Sequence, residues 1–241
     1  VAVPSQDMIL GTYYLTVVRE DTREKAKTFA TYDEVMLAYE AGIIGLQDIL
    51  YIRMPEYGRV ETTAGRLIFN NALFPELWQY AQKEDGTYSL GKVMDKKTVG
   101  KLVDQCFQLF GNEKTAELLD RIKSLGYSFA RRAGMTVAIA DIKVPEVKFE
   151  LLDTAEQEVE KVSRMYRRGL ITEEERYRKT IQLWTKATED VTEAMMDNMA
   201  RDKDGFNPVY MMAISGARGN KQQIRQLAGM RGLMADPSGR I

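Results

Sequence analysis

The sequence has 241 residues, of which 44% are hydrophobic and 29% are charged, an ordinary composition for a globular protein. Its net charge of −1 excludes the strongly basic body of an autonomous nucleic-acid binder. It contains no histidine and one cysteine, Cys106, which excludes an internal disulfide and the usual Cys–His and Ser–His catalytic pairs. Cys106 lies in an apolar pattern and is expected to be a buried thiol. No apolar run approaches the ~18 residues of a membrane span, so we expect no membrane association. The lack of a possible internal disulfide suits a reducing cytosol, so a cytoplasmic location is expected.

The first residues mix strand and helix signals. Tyr13–Val18 is rich in aromatic and β-branched residues, which predicts a strand. Thr31 is followed by Glu34 at the spacing of a capping box, and Gly42 is a typical terminator, so a helix is expected between them. Further along, the pattern predicts strands, a tight turn and two helices in this order: strands at 49–53 and 59–62, a turn at Asp85-Gly86, helices at 96–110 and 114–125 separated by Gly111-Asn112, and a strand at 135–142.

Two apolar stripes follow, each with spacings that alternate between three and four residues. That spacing is typical of a coiled coil, whose helices contact each other along a narrow seam. The first stripe is Leu152, Ala155, Val159, Val162 and Tyr166; the second is Tyr177, Ile181, Trp184, Thr188, Val191 and Met195.

A short connector joins these two helices. Thr172 is the expected N-cap of the second helix, with Glu175 at the capping-box position. The pattern therefore predicts an antiparallel helical hairpin, with arms about 35 Å long at 1.5 Å per residue. We expect this hairpin to project, because its outer faces are charged; two ordinary helices packed on the core remain the alternative. The predicted fold class is α+β and mainly helical, with a compact mixed body and this hairpin.

A glycine-rich basic stretch comes last. From Ser215 to Leu233 there are four basic residues and no acidic residue: Arg218, Lys221, Arg225 and Arg231. Glycines allow a backbone to approach a ligand closely, and arginines can pair with two phosphate oxygens. The stretch lacks the Gly-Lys-Ser/Thr ending of a P-loop. These residues alone leave two readings open, a solvated loop and a loop that contacts phosphates.

Several long motifs identify a family. The run 210–234, from Tyr210 through Ser215-Gly216-Ala217-Arg218-Gly219-Asn220 to Met234, resembles the largest (β′) subunits of bacterial RNA polymerases, and so do 3–14, 61–66, 166–172 and 184–188. The resemblance covers essentially the whole chain in order. Ile214 departs from it, because an acidic or polar residue is more usual there. The chain is therefore expected to be a piece of such a subunit, with both ends set by the cut.

The resemblance implies an architecture with three parts. Residues 1–145 would be the pore-region body, 146–204 the funnel with the rim helices of the secondary channel, and 205–241 a Gly/Arg-rich loop segment that faces the active centre. It implies that Arg218 and Gln6 lie near the incoming nucleoside triphosphate. It also places a factor-binding surface on the rim, made of Glu175, Tyr177, Arg178 and Lys179.

The resemblance also implies partners and limits. The partners would be the β, α, ω and σ subunits, Gre- and DksA-type secondary-channel factors, nucleoside triphosphates, DNA and RNA, in a nucleoid-associated enzyme. The metal-binding aspartate run of the family does not occur in this sequence. We therefore expect no catalytic residue and no metal ligand in this chain, and Mg²⁺ only in the complete nucleotidyltransferase. The alternative from another class is a freestanding coiled-coil interaction protein with a basic loop.

Overall fold

The computed structural model describes residues 3–55, 58–77 and 92–241. The turn predicted at Asp85-Gly86 lies outside these ranges. The described elements, in chain order, are α1 (Asp7–Thr16), β1 (Lys27–Phe29), α2 (Tyr32–Glu40), β2 (Ile49–Met54), β3 (Gly58–Thr63), α3 (Ala64–Asn71), α4 (Lys96–Ala133), α5 (Lys148–Arg167), α6 (Glu173–Arg201), α7 (Pro208–Ile214) and α8 (Lys221–Ala228).

The chain forms two compact units. Unit 1 comprises Val1–Thr136 and Met211–Arg218, and unit 2 comprises Val137–Tyr210 and Gly219–Ile241. Helices dominate both units, and the described strands form one small sheet. The predicted mainly helical α+β class is therefore confirmed. The three predicted domain ranges and the projection of the hairpin stay predictions.

The sheet of unit 1 has the order β1-β2-β3. β1 runs parallel to β2, whereas β2 and β3 form an antiparallel pair in which Tyr51 lies opposite Glu61. Leu50 and Val60 of this sheet are buried in one cluster with Val35 of α2, because their apolar side chains face the helices. The two strands predicted at 49–53 and 59–62 are confirmed.

Helix α2 begins where its capping residues predict. The Thr31 hydroxyl accepts the Glu34 backbone N–H at 3.2 Å. The Glu34 carboxylate accepts the N–H of Ala30, one residue before the N-cap, at 2.7 Å. Gly42 follows the helix with φ 68°, in the left-handed region that favours glycine. The predicted limits of this helix are confirmed.

The strand predicted at Tyr13–Val18 is wrong, because these residues fall mainly in α1. α1 is buried on most of its surface, so tertiary packing overrides strand propensity. Its backbone meets α4 directly at Gly11 and Gly126. A Cβ on Gly11 would lie 1.8 Å from the Gly126 carbonyl oxygen, and a Cβ on Gly126 would lie 2.4 Å from the Met8 carbonyl oxygen. Only glycine allows this approach.

Helix α4 contains a break at the predicted position. Gly111 has φ 73° and ψ −164°, so two helical stretches meet there, and the second continues to Ala133. The strand predicted at 135–142 is wrong: a 3-10 turn, Ile139–Asp141, occupies part of it. The buried Asp141 carboxylate accepts the Ala138 N–H at 2.8 Å and pairs with Lys203 at 2.5 Å, which satisfies it without a strand partner.

In unit 2, α5 and α6 form the predicted helical hairpin. The seam is best buried towards the C-terminal part of α6, where Val191 and Met195 are fully buried, and is less covered near the connector, where Tyr166 is 41% exposed. The segment 205–241, predicted as a loop segment, instead contains α7 and α8. α8 begins with a capping box, in which the Asn220 side chain accepts the Gln223 N–H at 2.8 Å. The glycines of the basic stretch lie outside α8, at positions 216, 219, 229 and 232, so the helix itself is built of residues with higher helix propensity.

Candidate functional site

The connector of the hairpin is a tight, capped turn. Gly169 has φ 72°, a backbone conformation that favours glycine. The Thr172 hydroxyl accepts the Glu175 N–H at 3.2 Å, and the Glu175 carboxylate accepts the Thr172 N–H at 2.9 Å. The predicted capping box is therefore confirmed. It fixes where α6 begins and how its first turns are oriented.

Three of the four predicted rim residues share one face of α6. Glu175, Arg178 and Lys179 have the spacing i, i+3 and i+4. The backbone hydrogen bond from Thr172 holds the pKa of Glu175 below its ordinary value, and the charges of Lys179 and Arg178 act in the same direction. Arg178 and Lys179 are exposed and make no salt bridge with other described residues. This face therefore presents two cations beside one anchored carboxylate.

The fourth predicted residue, Tyr177, is engaged elsewhere. Its hydroxyl donates to the Ile241 carbonyl oxygen at 2.7 Å and accepts the Ile241 N–H at 3.2 Å. The guanidinium of Arg240 lies over its ring, 4.9 Å from the centroid. Tyr177 therefore contacts the segment 236–241 and does not belong to the exposed face formed by Glu175, Arg178 and Lys179.

Sequence reasoning missed a second cluster beside the connector. Arg176 pairs with Glu173, its Nε donating to that carboxylate at 2.8 Å, and its guanidinium lies 5.5 Å from the centroid of the Tyr166 ring. The hydrogen bond from Arg176 holds the pKa of Glu173 below its ordinary value. The i, i+3 spacing of Glu173 and Arg176 is the signal that could have predicted this pair. The cluster ties the end of α5 to the start of α6.

We expect the hairpin to lose stability in acid. The folded-state pKa values of Glu173 and Glu175 are lowered from the ordinary 4.5, so their stabilisation is complete above 4.5 and is lost as the pH falls through the folded-state values. Circular dichroism from neutral to strongly acidic pH should show helix loss that Glu175→Gln reduces. Glu156→Gln, at an exposed α5 carboxylate, is the matched control. An acid transition unchanged by Glu175→Gln would contradict the capping role.

Arg218 lies in a loop of unit 1 that is fixed at the start of α4. The Lys96 N–H donates to the Ser215 carbonyl oxygen at 2.9 Å, and the Ala217 N–H donates to the Ser215 hydroxyl at 3.2 Å. The Arg218 N–H donates to the Met212 carbonyl oxygen at 3.2 Å. Its side chain is exposed and makes no salt bridge or hydrogen bond within the described residues. The backbone is therefore held while the guanidinium stays available to an anion.

Gln6 also lies in unit 1, directly before α1. It has φ 50° and ψ −122°, a conformation that L-residues rarely adopt, and its side chain makes no capping hydrogen bond. Such backbone strain is found most often at functional sites. No hydrogen bond between Gln6 and Arg218 occurs among the described residues, so their joint contact with a nucleotide stays a prediction.

The other basic residues of the stretch belong to unit 2. Lys221 and Arg231 are exposed, whereas Arg225 is half-buried beside Gly232. A Cβ on Gly232 would lie 3.5 Å from Nη2 of Arg225, and Gly232 has φ 85°. The four cations thus differ in exposure. Arg218, Lys221 and Arg231 are the better candidates for phosphate contact.

Arg66, within one of the diagnostic motifs, has a structural role. Its Nε donates to the Thr16 carbonyl oxygen at 2.9 Å, at the end of α1. Burial lowers the pKa of Arg66 to about 10, against the raising effect of Glu20 and Glu61. The guanidinium nevertheless remains charged at neutral pH and satisfies a helix end that would otherwise be buried without a partner.

The described residues contain no group of three or more Cys, Asp or Glu side chains placed to hold a metal ion. Cys106 is fully buried, as predicted for a core thiol. None of the helices in the described ranges is both long enough and apolar enough to cross a membrane. Among the predicted site residues, Arg178, Lys179 and Arg218 are exposed cations, which can pair with anionic groups.

Comparison with known proteins identifies the class. Residues 1–142 match the family described as RNA polymerase Rpb1, domain 3, and residues 171–241 match RNA polymerase Rpb1, domain 4. The chain belongs to this family of RNA polymerase largest-subunit domains.

Within that class, the chain is similar throughout to bacterial β′ subunits. It is 54% identical over 241 residues to the DNA-directed RNA polymerase subunit beta' of Pelotomaculum thermopropionicum, covering 100% of this chain and 19% of the relative. It is 50% identical to that of Desulforudis audaxviator and 52% identical to that of Desulforamulus reducens, with 100% of this chain and 20% and 19% of the relatives covered. The chain spans about a fifth of the length of these relatives.

Proposed function

We propose that this chain forms part of the secondary channel of a bacterial DNA-directed RNA polymerase. The observation that carries the proposal is the identity of 50% or more, over all 241 residues, with β′ subunits of that enzyme. A freestanding coiled-coil interaction protein would account for the hairpin. It would not account for the match of residues 1–142 to an RNA polymerase domain.

In this proposal the hairpin of unit 2 is the rim that docks Gre- or DksA-type factors. Support comes from the capped connector, which holds the first turns of α6 in one orientation, and from the exposed cations Arg178 and Lys179 beside it. Charged groups at the edge of an interface guide association and select partners. A factor with an acidic contact surface would complement these two residues.

We expect Lys179→Glu in the assembled polymerase to weaken binding of such a factor by about five- to tenfold, because the reversal replaces attraction with repulsion. Lys179 makes no salt bridge with other described residues, so the reversal should destabilise the helix only slightly, through the like charge of Glu175. Lys186→Glu, at an exposed position further along α6, is the matched control. Titration of labelled factor measures both; equal affinities for the two variants would contradict the docking surface.

Glu175→Lys is a weaker test of docking than Lys179→Glu. The Glu175 carboxylate caps α6 through the Thr172 N–H, so its reversal changes the helix start as well as the surface charge. Loss of factor binding by this variant should therefore be compared with its thermal stability. Weaker factor binding at unchanged thermal stability would indicate a lost contact, whereas weaker binding together with lower stability would indicate a displaced helix.

The second part of the proposal concerns the nucleotide. Arg218 would contact the triphosphate of an incoming nucleoside triphosphate, with Gln6 nearby, because its guanidinium is exposed and its backbone is held by Met212. The complete enzyme would be a cytoplasmic, nucleoid-associated nucleotidyltransferase with Mg²⁺ and the β, α, ω and σ subunits. The isolated chain is expected to be inactive, since it lacks the family's aspartate run.

A further inference from the structure

The chain that follows α8 lies along α6 in the direction opposite to the helix. A Cβ on Gly229 would lie 3.4 Å from the Met195 sulfur, and one on Gly232 would lie 3.7 Å from Cγ2 of Thr188. Between them, the sulfur of Met230 accepts the Thr188 hydroxyl at 3.6 Å. These contacts progress from the C-terminal half of α6 towards its start. We call residues 229–241 the strap.

Residues 240 and 241 of the strap contact Tyr177, near the beginning of α6. From Met195 back to Tyr177 is about 27 Å along a helix that rises 1.5 Å per residue. An extended chain spans about 3.3–3.6 Å per residue, so the strap is long enough to cover this distance. Both polar groups of Ile241 bind the Tyr177 hydroxyl, and Arg240 covers the ring. We call this contact the clasp.

A compact turn presents Arg240 and Ile241 to the clasp. The Asp236 carboxylate accepts the N–H groups of Ser238 and Arg240, at 2.9 and 2.8 Å, and the Ser238 hydroxyl at 2.6 Å. The Asp236 N–H donates to the Arg240 carbonyl oxygen at 2.7 Å. The end of the strap therefore has a defined shape before it meets α6. A preordered segment loses less entropy when it docks.

We propose that Tyr177 and Arg240 are positioning residues, which hold the strap on α6 and so fix the exposed Arg231 that the strap carries. The proposal rests on the proposed function, in which Arg218 of the same basic stretch contacts nucleoside triphosphate. It gives Tyr177 a role distinct from factor contact. It also links the rim, where Arg178 and Lys179 follow Tyr177 on α6, to Arg231, because a factor that displaces the clasp would release the strap.

The test uses Tyr177→Phe in the assembled polymerase. Phenylalanine keeps the ring under Arg240 but removes the hydroxyl that binds Ile241. Tyr127→Phe is the matched control, because the exposed Tyr127 makes no hydrogen bond with other described residues. Hydrogen exchange by mass spectrometry reports on the strap peptide 236–241. Steady-state kinetics report the KM and kcat for nucleoside triphosphate.

We expect Tyr177→Phe to speed exchange in the strap peptide by about fivefold or more, because both hydrogen bonds to Ile241 are lost. We also expect the KM to rise about two- to fivefold while kcat is nearly unchanged, because the strap affects nucleotide placement and not the reacting atoms. Tyr127→Phe should change neither. Arg240→Ala should reproduce both effects, since it removes the cation from the ring.

Two outcomes would overturn the proposal. Unchanged exchange in Tyr177→Phe would show that the clasp does not hold the strap. Faster exchange with an unchanged KM would show that the strap does not position a nucleotide contact. The nucleotide-facing role itself is tested separately by Arg218→Ala, in unit 1 and outside the strap. A failure of the strap is thus distinguishable from a failure of the proposed function.

Discussion

Substituting Gly126 by alanine should lower the free energy of unfolding of this chain by about 3 kcal/mol, because overpacking a closely fitted contact forces the backbone to shift. A Cβ at this position would lie 2.4 Å from the Met8 carbonyl oxygen and 2.7 Å from its Cα. Neither atom belongs to a side chain that could rotate away. Denaturation in urea, followed by circular dichroism, measures the loss.

Gly100→Ala is the matched control for Gly126→Ala. Both glycines lie inside α4, but a Cβ on Gly100 would meet only Val3, at 3.9 Å. Alanine is favoured over glycine within a helix by ~1 kcal/mol, so this variant should be as stable as the parent or more so. Equal destabilisation by the two substitutions would show that helix propensity, and not the approach of α1 to α4, dominates at Gly126.

The second large effect is expected at Arg218. In the assembled polymerase, Arg218→Ala should raise the KM for nucleoside triphosphate and lower kcat/KM about ten- to a hundredfold, because a charge-assisted contact contributes ~1.5–3 kcal/mol. Arg218→Lys should keep a kcat/KM between those of the parent and Arg218→Ala, since lysine keeps the charge but cannot pair with two phosphate oxygens. Initial rates at varied nucleotide concentration measure both variants.

The alternative is that Arg218 merely braces its loop, and thermal stability separates the two roles. A bracing residue would lower the melting temperature, with the kinetics changing only as the enzyme unfolds. Arg131→Ala, at an exposed arginine in the last turn of α4, controls for the loss of one surface cation. Normal kcat/KM in a correctly folded Arg218→Ala polymerase would contradict the phosphate contact.

Elements with local signals could be predicted from the sequence. The caps at Thr31 and Thr172 depend on residues three positions away, and the break at Gly111 depends on one residue. The hairpin was predictable for a similar reason, because its seam repeats along each arm. The charged residues on the rim of α6 were predicted only from the resemblance to β′ subunits.

Elements that depend on distant residues could not be predicted. The C-terminal half of α1 has the composition of a strand, and it is helical because α4, which begins 80 residues after α1 ends (96 minus 16), covers it. The clasp joins Tyr177 to a residue 64 positions away, so no local sequence pattern predicts it. Tyr177 therefore looked equivalent to Arg178 and Lys179 in the sequence, although its contacts are different.

The pairing of Gly11 with Gly126 has a consequence for synthesis on the ribosome. Gly11 of α1 is translated first, and the glycine that receives it follows 115 residues later (126 minus 11). At the usual rate of about 5–20 residues per second, the apolar α1 is synthesised roughly 6–23 s before the part of α4 that covers it. During that interval its buried face is open to chaperones or to a neighbouring nascent chain, so slow codons between the two glycines should increase aggregation.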